Sequence, residues 1–126
     1  LEAAFALRLS SILVNLSGTH QNFRKEESTI LRRPPNFAQL STSWFVRETT
    51  EFFVRTRWFD QRLDFDQNGD VVKLRSFETV DLGLHQAWGK NEVSLQLLNL
   101  LNREYEEIYG YSVMPRSIFG SYGVRF

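Results

Sequence analysis

Apolar residues recur at every second position through most of the chain. Ala3, Phe5, Leu7 and Leu9 alternate with Glu2, Ala4, Ala6 and Arg8. After Ser10-Ser11, a second run reaches from Ile12 to about Arg24, with Ile12, Val14 and Leu16 opposite Asn15, Ser17, Thr19 and Gln21. Across Asn36 to Arg47, Ala38, Leu40, Thr42, Trp44 and Val46 oppose Gln39, Ser41, Ser43 and Phe45; then Phe52, Val54, Thr56 and Trp58 oppose Arg55, Arg57 and Gln61. From Ser76 to about Trp88, Val80, Leu82 and Leu84 oppose Thr79, Asp81 and His85, and Val93, Leu95 and Leu97 next oppose Glu92, Ser94 and Gln96. The last run, Arg116 to Phe126, sets Ile118, Gly120, Tyr122 and Val124 against Phe119, Ser121, Gly123 and Arg125. A period of two belongs to strands with unlike faces, and no stretch holds a helical period long enough to compete. The pattern predicts an all-β chain of about seven antiparallel strands.

The connections alternate in length. Ser10-Ser11, Glu48 to Glu51 and Gly89-Lys90-Asn91 are short, whereas those after the second, fourth and sixth strands are long. Lys25 to Pro35 carries two prolines that cannot donate to a ladder, and residues 60–75 contain Asn68-Gly69, which favours a type I′ hairpin turn. Short turns on one side and long loops on the other are the asymmetry of up-and-down transmembrane β-barrels. Trp44, Trp58, Trp88, Tyr105, Tyr109 and Tyr122 fall mostly near strand ends, as interfacial girdles do. The final run ends on Phe126 at the length of a tilted membrane strand, about 9–11 residues. Seven strands do not close a single-chain bacterial barrel, which has an even number of about 8 or more, and an open edge in hydrocarbon leaves backbone groups unpaired. The chain is therefore expected to be the C-terminal portion of a larger barrel.

Composition removes several other classes. The net charge is +0, which gives no electrostatic basis for binding nucleic acid. Cysteine is absent, so disulfides and thiolate metal sites are excluded, and no apolar run approaches the roughly 20 residues of a membrane helix. No Ser-His-Asp arrangement, HExxH, phosphate loop or dinucleotide turn is found, which predicts a non-enzyme. His20 and His85 are assigned to the polar sides of their strands as lumen-lining residues. Arg55, Arg57, Arg125 and Asp81 are placed in the wet interior, because a lipid-facing arginine near the midplane costs about 2–4 kcal/mol. Asp64, Asp66, Asn68 and Asp70 offer oxygens at alternate positions with Gly69 at a sharp turn, like the first half of an EF-hand loop. Arg75 stands where that loop needs a bidentate Glu, so a solvated hairpin is favoured, with a calcium site completed by another loop as the alternative.

Asn99-Leu100-Leu101-Asn102 with Glu104-Tyr105 is similar to the NLFN-x-x-Y pattern of TonB-dependent outer-membrane receptors, Leu101 replacing the more usual Phe. Leu31-Arg32-Arg33-Pro34 resembles that family's RRP segment entering a strand, and Val80-Asp81-Leu82 its VDL-type strand. Asn99 to Phe126 resembles the family's C-terminus; Phe126, Val124 and Tyr122 look like the signal that the barrel-assembly machinery reads. Tyr109-Gly110-Tyr111 and Pro115-Arg116 look most like the cobalamin and siderophore branches.

The resemblance implies a barrel of about 22 strands around an N-terminal plug, in the outer membrane of a Gram-negative bacterium. It implies import of a siderophore, another metal chelate or cobalamin, driven by the TonB complex through a plug that this sequence does not contain. Lipid and lipopolysaccharide would surround the wall, and no cofactor is implied beyond calcium in an outer loop. Arg103, Tyr109 and Tyr111 are the candidate ligand-binding residues, since a rigid aromatic offers contact area at little entropic cost. Two alternatives are an outer-membrane protease or phospholipase using His20 near Glu26-Glu27, and a soluble carbohydrate-binding β-sandwich whose apolar faces meet in a dry core.

Overall fold

The period-two runs become strands wherever one face can be apolar and the other polar. The structure is a computed structural model that describes residues 1–22 and 31–126. Its strands are β1 (Glu2–Leu9), β2 (Ile12–His20), β3 (Asn36–Arg47), β4 (Thr50–Phe59), β5 (Arg62–Phe65), β6 (Val71–Leu74), β7 (Phe77–Trp88), β8 (Asn91–Leu98), β9 (Glu106–Ile108), β10 (Tyr111–Ser112) and β11 (Ser117–Val124). Seven of them form one antiparallel sheet in the order β1-β2-β3-β4-β7-β8-β11, with β1 and β11 at its edges. The two remaining pairs, β5–β6 and β9–β10, are hairpins inside the long connections before β7 and before β11.

Register aligns like with like. One row runs Leu7, Val14, Thr42, Val54, Leu82, Leu97, Ile118, and the next runs Leu9, Ile12, Trp44, Phe52, Leu84, Leu95, Gly120. On the other face the rows read Ala4, Ser17, Gln39, Arg57, Thr79 and Ala6, Asn15, Ser41, Arg55, Asp81. A one-residue slip in any strand would interchange the two faces, so the burial demands of both fix the register.

Among the described residues, no layer packs on the apolar face. Leu40, Trp44, Val54, Leu95 and Val124 are between 43% and 51% exposed, and the buried apolar residues among those described are Leu74 and Phe77. This overturns the β-sandwich alternative, in which those side chains would bury one another. No helix among the described residues is long and apolar enough to cross a membrane. On the polar face, Phe53 lies directly across from Gly83, and a Cβ built on Gly83 would sit 2.0 Å from the Phe53 ring. The ring occupies the place a side chain would take.

Several local expectations are corrected. β2 stops at His20, where the Gln21 N–H donates to Pro35 O (2.7 Å); the expected continuation to Arg24 and the loop charges at Lys25 to Glu27 lie outside the described residues. β4 begins at Thr50, inside the expected turn, because Glu48-Thr49 suffices once a bulge at Phe45/Arg47 bends β3. The β5–β6 turn is not type I′, which needs positive φ at both central residues. Only Gly69 is positive there (φ 86°), and the Asp66 carbonyl accepts from Gly69 N–H (3.2 Å): a type I turn closed by a left-handed glycine. His20 shares the register side of Val14 and Leu16, not the polar side, and pairs with Asn36 at the strand end (Nδ1 to Oδ1, 2.7 Å). His85 does lie on the polar face, 3.0 Å from Ser94 Oγ.

Candidate functional site

Alternate strand direction puts all three long connections at the same end of the sheet, and the polar face there carries aromatic residues. Phe37, Phe59 and Phe77 are cross-strand partners in one row, with ring centroids 4.8 Å and 4.7 Å apart. Tyr105, from the connection before β11, extends the stack onto Phe77 at 3.9 Å. Burial first, and then Glu107, push its hydroxyl above the ordinary tyrosine value. Tyr105 is therefore a packing residue and not part of a girdle. Trp44, Trp58, Trp88 and Tyr122 do stand exposed on strands of the main sheet.

The connections are tied to one another by a single carboxylate. Asp64 in β5 is 0% exposed. Its Oδ1 accepts from Arg32 Nε (2.9 Å) and Phe65 N–H (2.9 Å), and its Oδ2 accepts from Tyr109 N–H (2.9 Å). Burial pushes this carboxyl up, but the hydrogen bonds from Tyr109, Arg32 and Phe65 outweigh it and hold it below the usual carboxylate range. Arg62, two residues earlier, donates to the main-chain oxygens of Glu106 and Glu107 and lies over the Phe77 ring, 5.0 Å from its centroid. Each hairpin thus clamps the other.

Below this layer, Asp81 pairs with Arg57 (2.9 Å) and accepts from Asn99 N–H (3.0 Å). Asn99 and Asn102 adopt φ of 51° and 50°, a left-handed region that asparagine enters more readily than most residues. Asn99 exchanges side-chain hydrogen bonds with the Arg103 main chain, and Asn102 Oδ1 accepts from Arg116 N–H (2.9 Å). The Asn-Leu-Leu-Asn motif is a clasp that turns the chain out of β8 and back toward β11.

Between the two hairpins opens a cleft of about 440 Å³, lined by Lys73, Arg75, Glu104, Tyr105, Glu106 and Tyr109. It offers both charges and two aromatic rings, which suits a polar ligand with flat groups better than bond chemistry. Of the three expected ligand-binding residues, Tyr109 lines this cleft and Tyr111 stands exposed on the same hairpin. Arg103 does not join them. It pairs with Glu78 (2.6 Å), whose register row belongs to the apolar face.

The acidic hairpin is built for its own turn. Asp66 Oδ1 accepts from Asn68 N–H (2.8 Å) and Asp70 N–H (2.9 Å), while Asp64 is committed to Arg32 and Tyr109. Among the described residues, no group of three or more His, Cys, Asp or Glu, Asp64, Asp66 and Asp70 included, is arranged to hold a metal. Tyr122, Val124 and Phe126 are exposed at the end of β11, where the Tyr122 hydroxyl donates to Asn91 Oδ1 (2.5 Å). Arg125 pairs with Glu92 (2.9 Å). Of the residues proposed for hydrolytic chemistry, Glu26 and Glu27 lie outside the described set.

The arrangement has counterparts among solved structures. A chain of the FpvAI–pyocin S2 complex superposes with a TM-score of 0.76 at 18% identity, over 97% of this chain and 18% of that one. The ferripyoverdine receptor of the outer membrane of Pseudomonas aeruginosa, bound to ferripyoverdine, superposes with a TM-score of 0.74 at 16% identity, over 98% of this chain and 19% of that one. The chain thus spans about a fifth of the length of each. No family model and no curated protein matches the sequence. These likenesses establish the fold: an antiparallel up-and-down sheet of the kind found in outer-membrane receptor barrels, here not closed.

Proposed function

We propose that the protein containing this sheet is a TonB-dependent active-transport receptor of the outer membrane for a scarce nutrient such as a siderophore, another metal chelate or cobalamin. One observation carries the reading: a single-layered sheet leaves its apolar face open while its long connections fold together into a polar, aromatic cleft at one end. A wall between lipid and an aqueous lumen requires that division. Similarity to a receptor bound to ferripyoverdine favours the siderophore among the three.

In this reading the outer connections capture the ligand, with Tyr109 and Tyr111 as stacking surfaces and Arg103 at the lipid-side rim, within reach of lipopolysaccharide. Arg55, Arg57 and Asp81 line the lumen and face the plug, whose rearrangement by the TonB complex releases the ligand inward. Phe126, Val124 and Tyr122 serve the barrel-assembly machinery. The test is uptake of radiolabelled ferric siderophores and cobalamin by cells carrying or lacking the full-length protein, with and without an uncoupler. Uptake that needs both the protein and the proton-motive force is expected. Equal uptake in the two strains, or uptake indifferent to the uncoupler, would overturn the reading.

A further inference from the structure

Among the described residues, Arg62 is a buried cation with no ion-pair partner. It is 5% exposed, its Nε and Nη2 are spent on two neutral main-chain carbonyls, and Nη1 is buried with no partner. The ion pairs among the described residues are Arg32–Asp64, Arg57–Asp81, Arg103–Glu78 and Arg125–Glu92, so Arg62 has none. Asp64 is nearby but already accepts three hydrogen bonds. A guanidinium stripped of water needs paired, hydrogen-bonded oxygens to recover its solvation, and carbonyls supply only part of that.

Arg62 lines a cleft of about 300 Å³ with Arg32, Pro34, Phe59, Phe77 and Ile108. Arg32 spends Nε on Asp64 and is 56% exposed, which leaves its Nη groups for the same space. Two guanidinium groups therefore border one cleft whose other walls are mainly apolar, where a charge-assisted hydrogen bond is stronger than in water. Glu107 also borders the cleft but is exposed, so water and salt screen its repulsion.

We propose that this cleft is an oxyanion site, which takes a carboxylate or phosphate group of a small ligand on the Nη groups of Arg32, with the buried Arg62 guanidinium contributing its charge at the same wall. The proposal deepens the receptor reading and rests on it for the bearer of the anion, an acidic nutrient chelate arriving at the loop end. The binding itself is a property of the two arginines.

Full-length protein in detergent is titrated calorimetrically with citrate, inorganic phosphate and chloride at matched ionic strength. Citrate or phosphate is expected to bind where chloride does not, and the stronger of the two identifies the group. Arg62→Met, which keeps the stem as far as the Nε position and removes the charge, is expected to lose roughly 10-fold or more in affinity, Arg62→Lys to lose less, and Glu107→Gln to gain. If Arg62→Met fails to fold, Arg32→Gln at the exposed position supplies the test, with a severalfold loss expected. Citrate and phosphate indistinguishable from chloride, or wild-type affinity in the folded variant, would overturn the site. Intact binding with no energised uptake would instead refute the receptor reading alone, and energised uptake with no anion binding would refute this site alone.

Discussion

Replacing Asp64 by Ala removes the one carboxylate that joins three connections, and the cost can be assembled bond by bond. Arg32 is 56% exposed on its side chain, so water screens its half of the pair with the buried Asp64, which contributes about 1 kcal/mol or less. The Tyr109 N–H, held at 2.9 Å by a buried carboxylate, is a charge-assisted bond worth about 1.5–3 kcal/mol. The Phe65 N–H is local and adds about 1 kcal/mol or less. Water entering the site recovers some of this, which leaves about 3 kcal/mol for the unit formed by β5–β6 and β9–β10.

The assay is hydrogen exchange on full-length protein, comparing peptides over residues 104–112 with peptides from β7. A loss of about 3 kcal/mol in local opening accelerates exchange about 100-fold in the first set and leaves the second unchanged. Asp64→Asn keeps a carbonyl acceptor and is expected to fall between. Because the folded carboxyl is held low, its contribution is full above the unfolded value of about 3.9 and fades as pH falls toward the folded one. Protection over residues 104–112 should therefore weaken below about pH 4 in the wild type but not in Asp64→Ala. Unchanged protection in Asp64→Ala, or wild-type loosening on raising the pH instead, would refute the assignment.

Gly83→Ala drives a methyl to 2.0 Å from the Phe53 ring and should destabilise by about 1–3 kcal/mol, largely relieved by adding Phe53→Leu; urea unfolding in lipid vesicles measures the cycle. Leu82→Arg, mid-strand on the apolar row, should cost about 2–4 kcal/mol in the same vesicles, whereas Ser41→Arg on the polar row should stay within about 0.5 kcal/mol; equal effects would mean the faces are misassigned. Tyr105→Phe should keep the stack on Phe77, and Tyr105→Leu should lose about 0.5–1.5 kcal/mol beyond its buried area. Since burial raises the Tyr105 hydroxyl, its contribution is complete below the unfolded value of about 10 and lost as pH rises through the folded one, which ultraviolet titration of wild type against Tyr105→Phe follows.

The seven strands of the main sheet were legible because each side chain answers to one of two unlike faces, so Leu82 and Asp81 announce their faces by parity alone. The short turns were legible for the same reason, as interruptions of parity. β5, β6, β9 and β10 are two to four residues long, too short for a period to register. Asp64 read as one carboxylate of a solvated acidic hairpin, with calcium the alternative, because its neighbours in sequence are acidic, yet its chemistry is set by Arg32 and by Tyr109, 45 residues away. Tyr105 lies in an irregular stretch, where nothing local tells a ring that packs inward from one that faces a membrane boundary. Arg62 gave no signal at all: its meaning lies in what surrounds it and in what does not.

β1 and β11 each present a row of main-chain donors and acceptors that no neighbouring strand among the described residues engages. Both rows are flanked by a broad greasy plane, so this length of polypeptide taken by itself is self-adhesive along its rims and across its plane. Produced alone, it should collect into sheet-rich particles in water. Only supplied strands on both flanks, or a detergent that coats the plane while the flanks find each other, would keep it dispersed.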